Sequence, residues 1–311
     1  MNRITSTAEI QNYVKVANTF SVHSANAYEE VAFSNHIEKY FDQDFIDNIL
    51  SLDSDSGESD IMEIAQKICM GMLVNFAVLE WSKNGEVQIS DLGILRTENS
   101  ELKSAYANQI KKLAESLLTN GNAYIARLIK LIENNPDEFE GYENQPCFIN
   151  RNLLIIKTAM NFHQYQRLQN PHLLFPVLTG PQKKAIDFDL SANFPASLII
   201  EFIEGIPSDD PKRGDKMAAL EMVKRGLALL TIYYGMKENL VYVSANGVFQ
   251  LEGVQETDQT PYKPPRDDNF NASANFYKTN GEQYFGKAID LLISAEIMPA
   301  PAIYKPKNFI A

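Results

Sequence analysis

The chain has little of what most catalytic and ligand-gripping motifs require. Its only cysteines are Cys69 and Cys147, far apart in sequence, and its histidines are His23, His36, His163 and His172. So few thiols exclude a disulfide framework and point to a reducing compartment. Cys69, inside an apolar helical run, reads as a small buried hydrophobe. There is no C-x-x-C and no H-E-x-x-H, and His23 and His36 have no partner at ligand spacing, so no metal is expected. The glycine-rich loops that cradle phosphates are missing, so no nucleotide cofactor is expected. Basic charge is also scarce: 28 Lys and Arg stand against 40 Asp and Glu, a net charge of −12. That balance argues against sequence-specific or broad nucleic-acid binding and against anionic membranes. Lys111 and Lys112 stand alone, and "KPPR" at 263–266 is short. No run approaches the ~18 apolar residues of a membrane span, and the N-terminus has no apolar signal core.

What is present suits a packed, soluble fold. Hydrophobic residues make up 45% of the 311, enough for a sizeable core, and the length predicts about two domains. The strongest pattern is repetition. "TNGNAYIARLIKLI" at Thr119 returns as "TNGEQYFGKAIDLL" at Thr279. Four further matches occur in the same order. "TAEIQNY" (7–13) matches "TAMNFHQY" (158–165). "FIDNILSLDSD" (45–55) matches "IIEFIEGIPSD" (199–209), pairing Ile46 with Ile200, Asp47 with Glu201 and Ile49 with Ile203. Gly71 matches Gly226, and "VQISDLGIL" (87–95) matches "VYVSANGVF" (241–249). The offsets drift slowly, as insertions in loops would make them.

Each copy reads the same way. A short helix follows Thr7 or Thr158. A helical stretch comes next, about 25–52 or 171–205, the second broken by Pro171, Pro176, Pro181 and Pro195. An acidic loop then supplies an N-cap for the most hydrophobic helix, 60–82 or 215–236. Ile61, Ile64, Ala65, Ile68, Met72 and Phe76 recur at helical spacing there, as do Leu220, Val223, Leu227 and Leu230. A β-hairpin follows, with Asn246-Gly247 as the turn of the second. Helical arms end each copy, 100–119 with 122–134 and 271–279 with 282–295, Gly121 and Gly281 marking turns that launch the last helix. The expected fold class is mainly α with small β-hairpins (α+β), a tandem duplication of one helical module. The expected domains are 1–150 and 151–296, then an extended tail, 297–311, punctuated by Pro299, Pro301 and Pro306.

No catalytic constellation emerges. Spacing of three to five puts some of Glu38, Asp42, Asp44 and Asp47 on one helix face, but the second copy keeps only Asp187 and Asp189 and not their geometry, so a solvated acidic face is the simpler reading. Ser90 and Ser244 match between copies without a nearby base and read as hairpin residues. Trp81 ends the core helix and reads as packing. The tail mixes proline with Ile303, Tyr304, Phe309 and Ile310, apolar anchors that can dock in a neighbour's groove or along a sheet edge, or fold back on their own domain.

The T-A-x-x-Φ-x-x-Y start, the acidic loop before the core helix, the "VQISDLGI" hairpin and the long helical arm together resemble an uncharacterised family from phages of gut Bacteroidales, including crAss-like phages. Its members resemble head–tail connector and neck ring proteins of tailed phages. The resemblance covers most of the chain and departs from it in the 255–270 loop and the tail. It implies a structural virion protein in the neck, assembled in the host cytoplasm as a twelve-fold ring. The ring would contact the portal and adjacent neck or tail proteins, with no catalysis and no cofactor. A ring needs heterologous contacts, which extended arms can supply. The alternatives are a helical interaction scaffold outside the virion and an enzyme built from scattered carboxylates and histidines.

Overall fold

The computed structural model describes residues 3–16, 20–51, 60–84, 87–90, 93–96, 107–244, 247–250 and 267–299. The fold is mainly α, with two small antiparallel hairpins. It divides into two compact units, Met1–Ile149 and Asn150–Ala311.

In unit 1, α1 (Thr7–Gln11), α2 (Val22–Asn26) and α3 (Glu29–Ala32) lead into a π-helix at Phe33–Ile37 and then α4 (Gln43–Ser51). The core helix α5 (Asp60–Asn84) carries a hairpin of β1 (Val87–Ser90) and β2 (Gly93–Arg96), followed by α6 (Ala107–Asn134). Unit 2 runs in parallel. α7 (Ala159–Tyr165) and α8 (Pro171–Lys184) lead into a π-helix at Ala185–Leu190 and then α9 (Ala196–Glu204). The core helix α10 (Arg213–Lys237) carries β3 (Val241–Ser244) and β4 (Gly247–Gln250), followed by α11 (Asp267–Ser294). Both core helices have 25 residues, both final helices have 28, and α4 and α9 each have nine.

Local chemistry explains the ends. The Ser6 hydroxyl caps α1 by accepting the Glu9 N–H, and the Thr158 hydroxyl caps α7 by accepting the Asn161 N–H. The cap of α1 therefore lies one residue before Thr7. α10 and α11 close in the same way: Asn239 and Glu296 adopt left-handed conformations, and Leu240 and Ile297 N–H donate back to Gly235 and Leu292 carbonyls. Ile297 and Met298 then pack on the core of unit 2, so the first residues of the expected tail belong to that unit.

Four expectations need correction. The proline-broken stretch is less broken than expected: Pro176 and Pro181 lie inside α8, and only Pro171 and Pro195 mark helix starts. α5 is buried on all sides from Gly71 to Glu80, but Ile64, expected in the core, is 46% exposed. Gly247, expected in the turn of the second hairpin, is instead the first residue of β4 and pairs with Ser244, while Asn246 lies outside the described residues. Finally, no turn interrupts α6 or α11 at Asn120-Gly121 or Asn280-Gly281. Thr119 and Asn280 instead hydrogen-bond back to carbonyls four residues earlier, Glu115 and Phe276.

Those glycines are crossing points of packed helices. A Cβ on Gly121 would lie 2.5 Å from the Phe76 ring, and one on Gly71 would lie 2.6 Å from the Tyr124 ring. In unit 2, a Cβ on Gly226 would lie 2.7 Å from the Phe285 ring and 2.8 Å from the Gly281 carbonyl oxygen. Each glycine gives up helix propensity, about 1 kcal/mol against alanine, and permits the close approach that buries the aromatic partner.

By length and composition, Asp60–Lys83 could cross a membrane. Ile68, Met72 and Phe76 turn instead into the core of unit 1.

Candidate functional site

The polar side chains brought together lie around the two core helices. In unit 1, the π-helix places His36 against α5, where its ring stacks on Phe76 with centroids 4.5 Å apart. His36 Nε2–H donates to Glu80 Oε1 at 2.7 Å, and Lys83 Nζ donates to the same oxygen at 2.7 Å. Burial pushes the Glu80 carboxyl upward, but the bonds from His36 and Lys83 outweigh it and hold it at about 2. Both His36 and Glu80 are buried, so this arrangement anchors the π-helix to the core helix.

A second polar contact holds the N-terminal segment. Buried Glu29 accepts N–H bonds from Arg3 at 3.0 Å and Ile4 at 2.9 Å. The Arg3 guanidinium binds the Asp47 carboxylate with two nitrogens, at 2.5 and 3.1 Å, and sits over the Phe33 ring. Its hydrogen bond holds the Asp47 carboxyl below the ordinary range. Unit 2 repeats part of this with neutral groups. The Ile156 N–H donates to Gln182 Oε1 at 2.9 Å, and Gln182 Nε2 donates to the Ile156 carbonyl at 3.1 Å.

In unit 2 the π-helix offers Asp189, whose carboxylate accepts the Tyr234 hydroxyl at 2.8 Å. Burial and then Asp189 push the Tyr234 phenol up. Unit 2 also carries a polar cleft of about 310 Å³, lined by Gln164, Tyr165, Gln166, Glu221, Arg225 and Tyr284 among others. Tyr165 donates to Glu221 Oε2 at 2.9 Å, and Arg225 Nε donates to Glu221 Oε1 at 3.4 Å. Burial, then the Glu221 bond, pushes the Tyr165 phenol up to about 12. Hydrogen bonds to Glu221 and Tyr284 raise the Arg225 guanidinium further. In unit 1 the matching tyrosines, Tyr13 and Tyr124, meet edge to face at 6.1 Å. Counting from the matched Gly71 and Gly226, Gln66 and Met70 stand where unit 2 has Glu221 and Arg225.

The residues singled out in the sequence fall apart from one another. Asp47 is taken by Arg3, Glu38 accepts the Ser34 hydroxyl, and the Asp42 N–H donates to Gln145. Asp187 pairs with Lys183. His163 Nδ1 accepts the Leu168 N–H at 3.1 Å, and His172 is buried in α8. Cys69 and Cys147 are free and buried, and burial raises the Cys69 thiol. Trp81 packs edge-on against Phe20. Ser90 and Ser244 end β1 and β3. Among the described residues, no group of three or more His, Cys, Asp or Glu is placed to hold a metal ion. Ile303, Tyr304, Phe309 and Ile310 lie outside the described residues, as does the 263–266 segment.

Residues 33–152 match a family of unknown function, DUF6712. The match begins at the first residue of the unit 1 π-helix and runs through α6 to the start of unit 2. It therefore covers the His36–Glu80 contact and the Gly71–Gly121 crossing, but not the Tyr165 cleft. No curated protein and no solved structure matches the chain.

The Tyr165–Glu221–Arg225 group was missed in the sequence. Two signals pointed to it: Tyr165 and Tyr284 both lie in matched segments, and Glu221 and Arg225 stand four apart on one helix face.

Proposed function

We propose that the chain is a structural protein that works by assembly: a head–tail connector or neck ring component of a tailed phage. Its partners are further copies of itself, in a ring expected to be twelve-fold, with the portal and adjacent neck or tail proteins. One contrast carries the reading. The polar groups described above hold helices within a unit, whereas large apolar side chains stand on the surface. Phe188 is 66% exposed, Phe276 60% and Ile149 52%. Large aromatic side chains left in solvent are the type that protein interfaces bury at their centres. The parallel element order of the two units supports a tandem duplication, with the matched glycine crossings and π-helices as its strongest signs.

The test is size-exclusion chromatography with negative-stain imaging of the full chain. Rings, or binding to portal particles, support the connector. A monomer of 35.1 kDa that turns over a small substrate in the Tyr165 cleft would refute it. A discrete oligomer that ignores portal particles favours a scaffold outside the virion.

A further inference from the structure

We propose that the C-terminal segment, residues 303–310, docks in an apolar groove on unit 2 of its own chain. The groove measures about 300 Å³. Its apolar walls are Leu153, the π-helix residue Ile186, and Ala196, Ile199, Ile200 and Ile203 of α9. Leu153 is 50% exposed and Ile200 is 52% exposed. α9 already turns Leu198, Ile199 and Phe202 into the core, so Ile200 is not needed to hold it there.

Burial aligns Phe45, Ile46 and Ile49 of α4 with Leu198, Ile199 and Phe202 of α9. That register lies one residue from the sequence match, so Asp47 corresponds to Ile200, Gln43 to Ala196 and Phe33 to Ile186. In unit 1 the Arg3 side chain fills this place, paired with Asp47 and lying over Phe33. In unit 2 Ile200 stands where unit 1 has Asp47, so the aspartate that holds the arginine is gone and the place stands open.

The position of the chain end selects the occupant. Lys212 Nζ holds the carbonyls of Ala295 and Glu296 at 2.7 and 2.9 Å, just before residue 300. One helical turn along α10, Lys216 Nζ reaches Glu201 at 2.5 Å, and Glu201 lies between Ile200 and Ile203. The chain thus leaves unit 2 beside the groove, and residues 300–311 can span roughly 40 Å when extended. The segment brings Ile303, Tyr304, Phe309 and Ile310 to these apolar walls, and its charged residues Lys305 and Lys307 can stay at the rim, where Lys183 and Asp187 are paired. Tethering supplies an effective concentration in the millimolar range, so weak apolar contacts suffice.

Disulfide trapping in the full chain tests this, and its outcome does not depend on whether the chain forms a ring. Ser191→Cys places a thiol in the groove without removing an apolar wall, and Asn308→Cys places one beside Phe309. Mild oxidation is expected to give an intramolecular disulfide, identified by mass spectrometry. The control pair Met217→Cys with Asn308→Cys is expected to stay reduced. Adding Ile200→Asp, the residue unit 1 has there, should cut the trapped fraction about tenfold, since a carboxylate facing the anchors loses at least 1.4 kcal/mol of docking. Trapping no faster than the control, or unchanged by Ile200→Asp, overturns the proposal. Disulfides between chains overturn it in favour of docking on a second copy.

Discussion

At the residue scale, the buried Glu80 carboxylate separates stabilising charge from reactive charge. Its folded value of about 2 lies below the ordinary 4.5, so its contribution is complete above 4.5 and is lost as pH falls toward 2. Glu80→Gln should cost roughly 2 kcal/mol at neutral pH and flatten the acid side of the stability profile, as measured by urea unfolding across that range. Tyr165 has the opposite sense. Its phenol sits at about 12 against 10.0, so the neutral form contributes fully below 10 and less as pH rises toward 12. Tyr165→Phe should remove one tyrosine from the latest-ionising class in an ultraviolet titration and cost about 1 kcal/mol.

At the element scale, the helix crossings set the geometry of each unit. Gly226→Ala would push a methyl to 2.8 Å from the Gly281 carbonyl, which is backbone and cannot swing aside. The change should lower stability by about 2 kcal/mol despite alanine's better helix propensity. Gly286→Ala, in the same α11 with nothing within 4 Å, should raise stability by about 1 kcal/mol. Denaturation midpoints of the two variants check the contrast; equal shifts would show that the crossing does not matter. The two π-helices belong to this scale too. They occupy the same point before α4 and α9, and each holds its core helix through one side chain, His36 or Asp189. A π-turn carries no distinctive composition, so neither was legible in the sequence.

At the scale of the whole molecule, the division after Ile149 falls one residue before the boundary expected from the repeats. Each unit has its own core, so residues 1–149 and 150–311, expressed separately, should each unfold cooperatively by circular dichroism. A fragment that is helical only in the presence of the other would contradict that independence. If the chain assembles into the proposed ring, its net charge of −12 predicts an acidic lumen that would repel DNA phosphates and let the genome pass. A ring reconstruction with an electropositive lumen would refute this.

The mainly helical class, the hairpins and the colinear matches between the halves were legible from the residues alone, because hydrophobic period and turn chemistry are local properties. The sequence also located Gly71, Gly121, Gly226 and Gly281, but not what they do. Asn-Gly reads locally as a turn, and only the packing of α6 on α5 and of α11 on α10 shows glycine serving close approach inside an unbroken helix. The register of α4 against α9, one residue from the sequence match, was likewise decided by which side chains reach the core. So were the fates of the acidic residues: Asp47 and Asp189 are equivalent to any other carboxylate in sequence, and their roles depend on Arg3 and Tyr234, which tertiary folding alone brings to them.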